Sequence, residues 1–201
     1  MFTGIIQSVG KISSVTPSGE DVKLRIEVES LDMSDVKTGD SIAVNGVCLT
    51  AVDFNANTFE AHVSKETLSC TVGLNTYRKV NLEKALQLSD RLGGHLVSGH
   101  IDGVGQVVHL ESLGECWLLA VRAPHSISRY ISVKGSIAID GVSLTVNNID
   151  KDVFSMNLIP HTLEKTCLQD LIVGSHVNLE VDLIARYVER MAQWNLESNI
   201  E

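Results

Sequence analysis

The sequence predicts an all-β protein: two small β-barrels in tandem, followed by a single helix. Three observations predict it. The decapeptide Ser41-Ile42-Ala43-Val44-Asn45-Gly46-Val47-Cys48-Leu49-Thr50 returns as Ser136-Ile137-Ala138-Ile139-Asp140-Gly141-Val142-Ser143-Leu144-Thr145, with seven of the ten positions identical. Short alternating apolar segments, separated by turn residues about every 8–12 positions, mark a barrel or sandwich. The alternation then stops at Leu183, and apolar residues recur at helical spacing from Ile184 to Trp194.

The repeat sets the organisation. From Thr3 to Gly73 an offset of 95 gives 18 identities in 71 positions, among them Gly4/Gly99, Ile6/Ile101, Gly10/Gly105 and Phe59/Phe154. At an offset of 97, Val80-Asn81-Leu82-Glu83 then matches Val177-Asn178-Leu179-Glu180. A unit this long is a duplicated domain, too long for a solenoid repeat. The 201 residues hold two units of about 90 residues, read as 1–92 and 93–183, with a helix over 184–201. The join near Gln87 to Gly94 is short, so the barrels should lie close together.

Composition narrows the function. The net charge is −9, and neither half is basic: residues 1–97 carry 9 basic and 12 acidic groups, and residues 98–201 carry 7 and 13. Nucleic acid is therefore not an expected partner. No apolar run reaches the roughly 20 residues of a bilayer span, and no secretory leader is visible. Cys48, Cys70, Cys116 and Cys167 form no CxxC pair. They read as reduced thiols of a cytoplasmic protein, neither a disulfide frame nor a metal site.

In chain order, Val22 to Val28 alternates apolar and charged residues, the period-2 pattern of a half-buried strand. Its partner, Trp117 to Val121, keeps the inward positions. Leu31 to Lys37 reads as helix-like, and Thr38-Gly39-Asp40 as a turn. The decapeptide reads as strand, turn, strand, because Asn-Gly and Asp-Gly accept the positive φ angles of a type I′ hairpin. Cys48 and Ser143 then lie near the hairpin mouth. Asp53 to Asn57 is another turn and Thr58 to Val63 another strand. In the tail, Ile184, Tyr187, Val188, Met191 and Trp194 form the apolar stripe of an amphipathic helix of roughly three turns. It has no counterpart after the first copy, and we assign it to oligomerisation over packing on its own barrel.

The copies differ where chemistry would sit. Cys48 faces Ser143 across the repeat, and His100 stands where the first copy has Ile5. A free Cys is most often a small buried hydrophobe; its place beside Thr50 favours a reactive role. His100 can exchange protons near neutral pH and is assigned with its copy to the second barrel. Thr50 and Thr145 can hydrogen-bond a ligand, although Thr is common in strands anyway. Lys65-Glu66 reads as a solvated charge pair. Gly93-Gly94 and Gly99 do not form a phosphate cradle, and the His spacing supports no metal site.

Taken together, these residues resemble the riboflavin synthase family. The marks are Met1-Phe2-Thr3-Gly4-Ile5-Ile6, Asn45 to Thr50, Lys65-Glu66-Thr67-Leu68, Gly93-Gly94-His95-Leu96-Val97-Ser98-Gly99-His100 and Asp140 to Thr145. The resemblance covers the whole chain. It implies two six-stranded Greek-key barrels that bind lumazine and a C-terminal helix that assembles a homotrimer. It implies dismutation of two 6,7-dimethyl-8-ribityllumazine molecules, with no cofactor or metal. One molecule donates a four-carbon unit to the other, giving riboflavin and 5-amino-6-ribitylamino-uracil. It also implies an association with lumazine synthase. Carried over by position, the catalytic candidates are Cys48, His100, Ser41, Ser143 and Asp182. Substrate-lining candidates are Gly4, Ile5, Ile6, Val47, Leu49, Thr50, Ala61, His62, Val63, Ser64, Lys65 and Glu66. Gly99, Ile101, Lys134, Leu144, Thr145, Asn157, Leu158, Ile159, Pro160, His161 and Thr162 complete the set. The pattern is broken at His161, where some members carry Glu. In the family each reactive pair lies between the N-terminal barrel of one subunit and the C-terminal barrel of its neighbour. A second reading, of another class, is a ligand-binding protein of the same fold that holds lumazine or flavin as an emitter. Cys48, Lys65-Glu66 and Gly99-His100 favour the enzyme.

Overall fold

A computed structural model describes residues 1–198, with side chains through Trp194. In the first copy, β1 (Ser8–Ser18), β2 (Asp21–Val28), β3 (Ser41–Val44), β4 (Val47–Phe54), β5 (Thr58–Val63) and β6 (Lys79–Lys84) are all antiparallel. They close a barrel in the order β1-β2-β5-β4-β3-β6, and β6 pairs back onto β1. The step from β2 to β5 over the β3–β4 hairpin is the Greek-key connection. Closure leaves no open edge, which suits so small a unit.

The second copy has β7 (Gly103–Leu113), β8 (Cys116–Arg122), β9 (Ser136–Ile139), β10 (Val142–Thr145), β11 (Asn148–Asp150), β12 (Val153–Leu158) and β13 (His176–Val181). Its sheet order is β10-β9-β13-β7-β8-β12-β11. The terminal strands β10 and β11 are consecutive in the chain, so the ring closes through Val146-Asn147. Where six strands are expected, there are seven, because the equivalent of β4 is interrupted. The interruption falls where β4 itself bulges, between Ala51 and Asp53.

Each barrel has its own core. β2 buries Leu24, Ile26 and Val28 and exposes Arg25 and Glu27, as its alternation predicts. Ile12, Leu24, Ile26, Phe59 and Leu82 fill the first barrel. Leu119, Val121, Phe154, Met156 and Leu179 fill the second. The segment Leu31–Lys37 is not helical. It folds as turns that still bury Leu31, Met33 and Val36, and the Asp32 carboxylate takes the Ser34 N–H, diverting the backbone from a helix. Its counterpart does include a short helix, α2 (His125–Ser128). Two further short helices follow β5 and β12. α1 (Lys65–Cys70) is capped by Ser64, whose Oγ accepts from Thr67 N–H, and α3 (Pro160–Lys165) starts with Pro at N1. α4 (Leu183–Ser198) ends the described chain.

The polar face of α4 is tied to the second barrel. Glu189 accepts from Arg129 and from the Tyr130 hydroxyl, and Arg186 pairs with Asp102. The opposite face is exposed: Ile184, Tyr187, Val188, Met191 and Trp194 are each 60–68% exposed, and Arg190 lies over the Trp194 ring. The helix assigned to oligomerisation thus packs on its own barrel by charge and presents its apolar stripe outward.

The barrels meet about a pseudo-two-fold axis. The hairpin tips Asn45-Gly46 and Asp140-Gly141 touch there: a Cβ on Gly46 would lie 2.7 Å from the Gly141 nitrogen. The repeated asparagines lock the tips reciprocally. Asn81 N–H donates to Asn45 Oδ1 (2.7 Å), and its side-chain NH₂ donates to the Asp140 carbonyl (2.9 Å). Asn178 does the same in mirror role, to Asp140 Oδ1 (2.8 Å) and the Asn45 carbonyl (3.1 Å). Phe2 and Val97, equivalent residues, pair as a β-bridge on the same seam.

Candidate functional site

The two hairpins place the candidate nucleophiles. Asn45 and Gly46 have φ of 46° and 80°, and Asp140 and Gly141 have 45° and 80°, as type I′ turns require. Tight turns fix the register, so Cys48 lies opposite Ala43 and Thr50 opposite Ser41. Likewise Ser143 lies opposite Ala138 and Thr145 opposite Ser136. Strand alternation sends Cys48, Thr50, Ser143 and Thr145 to the outer face of each barrel. The residues between them point inward. Val47, Leu49, Ala61, Val63, Leu144 and Leu158 are core side chains.

The opening segments cross. Cys48 N–H donates to the Gly99 carbonyl (2.9 Å), and Ser143 N–H donates to the Gly4 carbonyl (2.8 Å). Each copy's opening residues are thus seated on the other copy's hairpin. Both glycines have positive φ, and a Cβ on Gly99 or Gly4 would fall 2.5 Å from Cys48 Cβ or 2.6 Å from Ser143 Cβ. Only glycine lets the chain approach so closely. Ile101 packs on the first barrel's core and Ile6 on the second's. Buried carboxylates hold the crossing. Glu83 accepts from Thr3 N–H (2.7 Å), Thr3 Oγ1 (2.6 Å) and Gly4 N–H (3.0 Å). Glu180 accepts from Ser98 N–H (2.6 Å), Ser98 Oγ (2.7 Å) and Gly99 N–H (2.9 Å). Burial pushes the Glu83 carboxyl above its ordinary pKa, and the bonds from Thr3 and Gly4 oppose it. The segment Gly99 to Ile101, which carries His100 and belongs by sequence to the second copy, therefore lies against the first barrel.

One side chain escaped the sequence reading. His95 is buried, and its Nδ1 lies 2.7 Å from Ser143 Oγ, while its Nε2 has no hydrogen-bond partner. Burial pushes its pKa down, against the opposing charge of Asp182, so the ring is neutral at pH 7. Gly94 makes this possible: a Cβ there would lie 2.2 Å from the Thr3 carbonyl oxygen and 2.7 Å from Ser143 Cβ. Comparing the copies cannot find His95, because its counterpart at offset 95 would precede residue 1. Asp182 is half-buried, and its Oδ1 accepts from Ile184 N–H (3.0 Å), capping α4.

The remaining candidates lie on the rims. Thr50, His62, Ser64, Lys65 and Glu66 are exposed around the first hairpin, and Ile5, Lys134, Thr145, Asn157, Ile159, Pro160 and His161 around the second. Thr162 is half-buried, and so is Ser41, which opens onto a groove it shares with Gln7, Asp40 and Lys84. Lys65 bonds Glu20 at 2.5 Å, so its charge partner is not the adjacent Glu66. Lys134 has φ of 67°, a strained conformation for a residue with a Cβ, at the turn before β9. Burial, helped by Asp140 and Asp170, pushes the Cys167 thiol up to about 12, so it stays protonated and inert. Among the described residues no three His, Cys, Asp or Glu side chains gather as a metal site would.

Two similar outer faces result. Each has a thiol or hydroxyl at a hairpin mouth, a threonine two residues on, and the opening backbone of the other copy against it. They differ in their polar groups: Cys48 and the His100 segment in one, Ser143, His95 and Asp182 in the other.

Comparison with known proteins accords with this arrangement. Residues 3–85 and 98–182 each match the lumazine binding domain family. The chain is 47% identical over 194 residues to a riboflavin synthase of Photobacterium phosphoreum, covering 95% of this chain and 88% of that one. It is 43% identical over 201 residues to a riboflavin synthase of Brucella abortus (96% and 99%), and 41% identical over 192 residues to one of Bacillus subtilis (94% and 89%). Among solved structures it is similar to LumP complexed with riboflavin, with TM-score 0.82, 26% identity, and 90% and 99% of the two chains covered. LumP complexed with 6,7-dimethyl-8-(1'-D-ribityl) lumazine superposes with TM-score 0.80 at the same identity and coverage.

Proposed function

The chain belongs to the riboflavin synthase family, and on that premise we propose that it converts two molecules of 6,7-dimethyl-8-ribityllumazine into riboflavin and 5-amino-6-ribitylamino-uracil. One observation carries the reading. Similarity across both barrels is 41–47% to proteins named riboflavin synthase but 26% to LumP. The emitter-type alternative is therefore the weaker one.

The two half-sites suit such a reaction. Substrate and co-substrate are the same molecule, and two copies of one barrel offer two similar seats. Four carbons pass from one molecule to the other and the atoms balance, so no outside oxidant or reductant is required. Holding the pair face to face supplies several kcal/mol, up to about 7–11 in ideal intramolecular models. The donor ring needs a nucleophile and the acceptor methyl needs a base. Cys48 or a water beside it, with His100, serves the first half-site; Ser143, with His95 and Asp182, serves the second. Both half-sites are open on one chain, and α4 exposes an apolar stripe. We therefore take the working form to be a homotrimer, in which the first barrel of one subunit faces the second barrel of the next. Among the described residues no helix is long and apolar enough to cross a membrane. A cytoplasmic location and an association with lumazine synthase complete the proposal.

The test is direct. The protein incubated with the lumazine alone should form riboflavin, read by its absorbance, and the uracil product in equal amount, with EDTA without effect. Tight binding without turnover would favour the emitter-type reading.

A further inference from the structure

Arg186, on the second turn of α4, reaches away from the apolar stripe and into the seam. Its Nη2 donates to the His100 carbonyl (2.8 Å) and to Asp102 Oδ2 (2.8 Å). Asp102 Oδ2 also accepts from Val181 N–H (2.8 Å), on the strand that leads into the helix. The ion pair is sheltered, its side chains 31% and 18% exposed. Arg186 Nε is buried without a partner, so the Nη2 contacts carry the interaction.

The first copy shows what this contact adds. Gln7 is the counterpart of Asp102, and Lys84 the counterpart of Val181. Lys84 N–H donates to Gln7 Oε1 (3.0 Å), the same backbone bond, made with a neutral amide. The second copy has a carboxylate instead, whose charge recruits an arginine from an element the first copy lacks. The carbonyl that the arginine grips belongs to His100, and its first-copy counterpart, Ile5, has no such clamp among the described residues. Charge and clamp thus occur only where the opening segment carries a histidine.

We propose that Arg186 is a positioning residue: it fixes the His100 backbone against the first barrel and so makes α4 part of that half-site. The arrangement ties the helix that exposes the apolar stripe to the segment seated on Cys48, so assembly and His100 geometry share one element. The inference rests on the function proposed above, and its test separates the two. Three variants decide it: Arg186→Met, which keeps length and loses all donors; Arg186→Lys, which keeps one cationic donor; and Asp102→Asn, which keeps the acceptor for Val181 but not the charge. Sedimentation gives the assembled mass, steady-state kinetics with the lumazine gives kcat and KM, and proton NMR gives the His100 ring C–H resonance, assigned by its loss in His100→Gln.

At wild-type mass, Arg186→Met should lose about ten- to a hundredfold in kcat with KM within about twofold. Arg186→Lys should recover part of that loss, and Asp102→Asn should fall between. The His100 resonance should move in Arg186→Met without substrate present. Should Arg186→Met lower the mass, Asp102→Asn carries the test. Unchanged kcat and an unmoved resonance at full mass would overturn the proposal. So would a loss of rate that follows assembled mass in every variant, which would make Arg186 an assembly residue only. Absence of riboflavin from the wild type would sink the proposed function, while the resonance would still decide whether Arg186 positions His100.

Discussion

Asp140→Asn should change how stability depends on pH. Asp140 is buried at the hairpin tip where the barrels touch, and its first-copy counterpart is already Asn45. Burial lifts its pKa from the ordinary 3.8 to about 6, against the opposing bond from Asn178 and the charge of Arg78. A carboxyl raised in this way binds its proton more tightly folded than unfolded. Stability is therefore lost as pH rises from about 3.8 to about 6, and the loss is complete above that range. At 1.36 kcal/mol per pH unit the gap corresponds to about 3 kcal/mol at pH 7, of which about 2–3 kcal/mol accrues between pH 4 and 7. An asparagine does not titrate. Its Oδ1 can accept from Asn178 N–H as Asn45 Oδ1 does from Asn81. Its NH₂ would be buried without a partner, as Asn45 Nδ2 is, at a cost of about 1–3 kcal/mol that pH does not alter. The difference in unfolding free energy, variant minus wild type, should thus climb by about 2–3 kcal/mol from pH 4 to 7. Urea unfolding followed by circular dichroism measures it, at one fixed protein concentration because assembly feeds into stability. A flat difference across that range would refute the assignment of a buried, raised carboxyl at the seam.

Other outcomes bear on the site. Cys48→Ala should slow riboflavin formation by about 10²-fold or more while the melting temperature stays nearly unchanged, since the thiol lies outside the barrel core; equal losses in both would make it a packing residue. With the segment that carries His100 seated on the hairpin of Cys48, a complementation test pairs Cys48→Ala with Ser143→Ala. Co-refolded at equal amounts, these should recover about a quarter of wild-type activity in a cyclic trimer with independent junctions, and none if each site lies within one chain. A chain ending at Leu183 should sediment as a smaller species and keep its β-type circular dichroism; an unchanged mass would leave the apolar stripe without an assembly role.

The fold was legible because its signals are local or repeated. Alternation in Val22–Val28 and the Asn-Gly and Asp-Gly turns each report on neighbouring residues, and the structure follows them. Leu31–Lys37 misled because its apolar spacing resembles a helix while Asp32 captures the backbone N–H a helix would use. The site was less legible. Strand parity, known only once register is fixed, sends Val47, Leu49, Ala61 and Val63 into the core. No local pattern signals that opening segments cross, so the seating of the His100 segment on the first barrel was not legible from its place in the chain. His95 lies outside the duplicated stretch, and Arg186 acts from an unrepeated helix, so neither has a counterpart against which to stand out.

The crossing bears on symmetry. Two separate chains of one sequence, paired about a true two-fold axis, would have to furnish both seats identically, since any substitution would appear on both sides at once. Fusing the copies removes that constraint. His100 can replace Ile5 on one seat, and Asp102 can replace Gln7 beneath it, without touching the other. A reaction that assigns opposite fates to two identical molecules can draw on such an inequality, and here a single covalent join between two equal halves permits it.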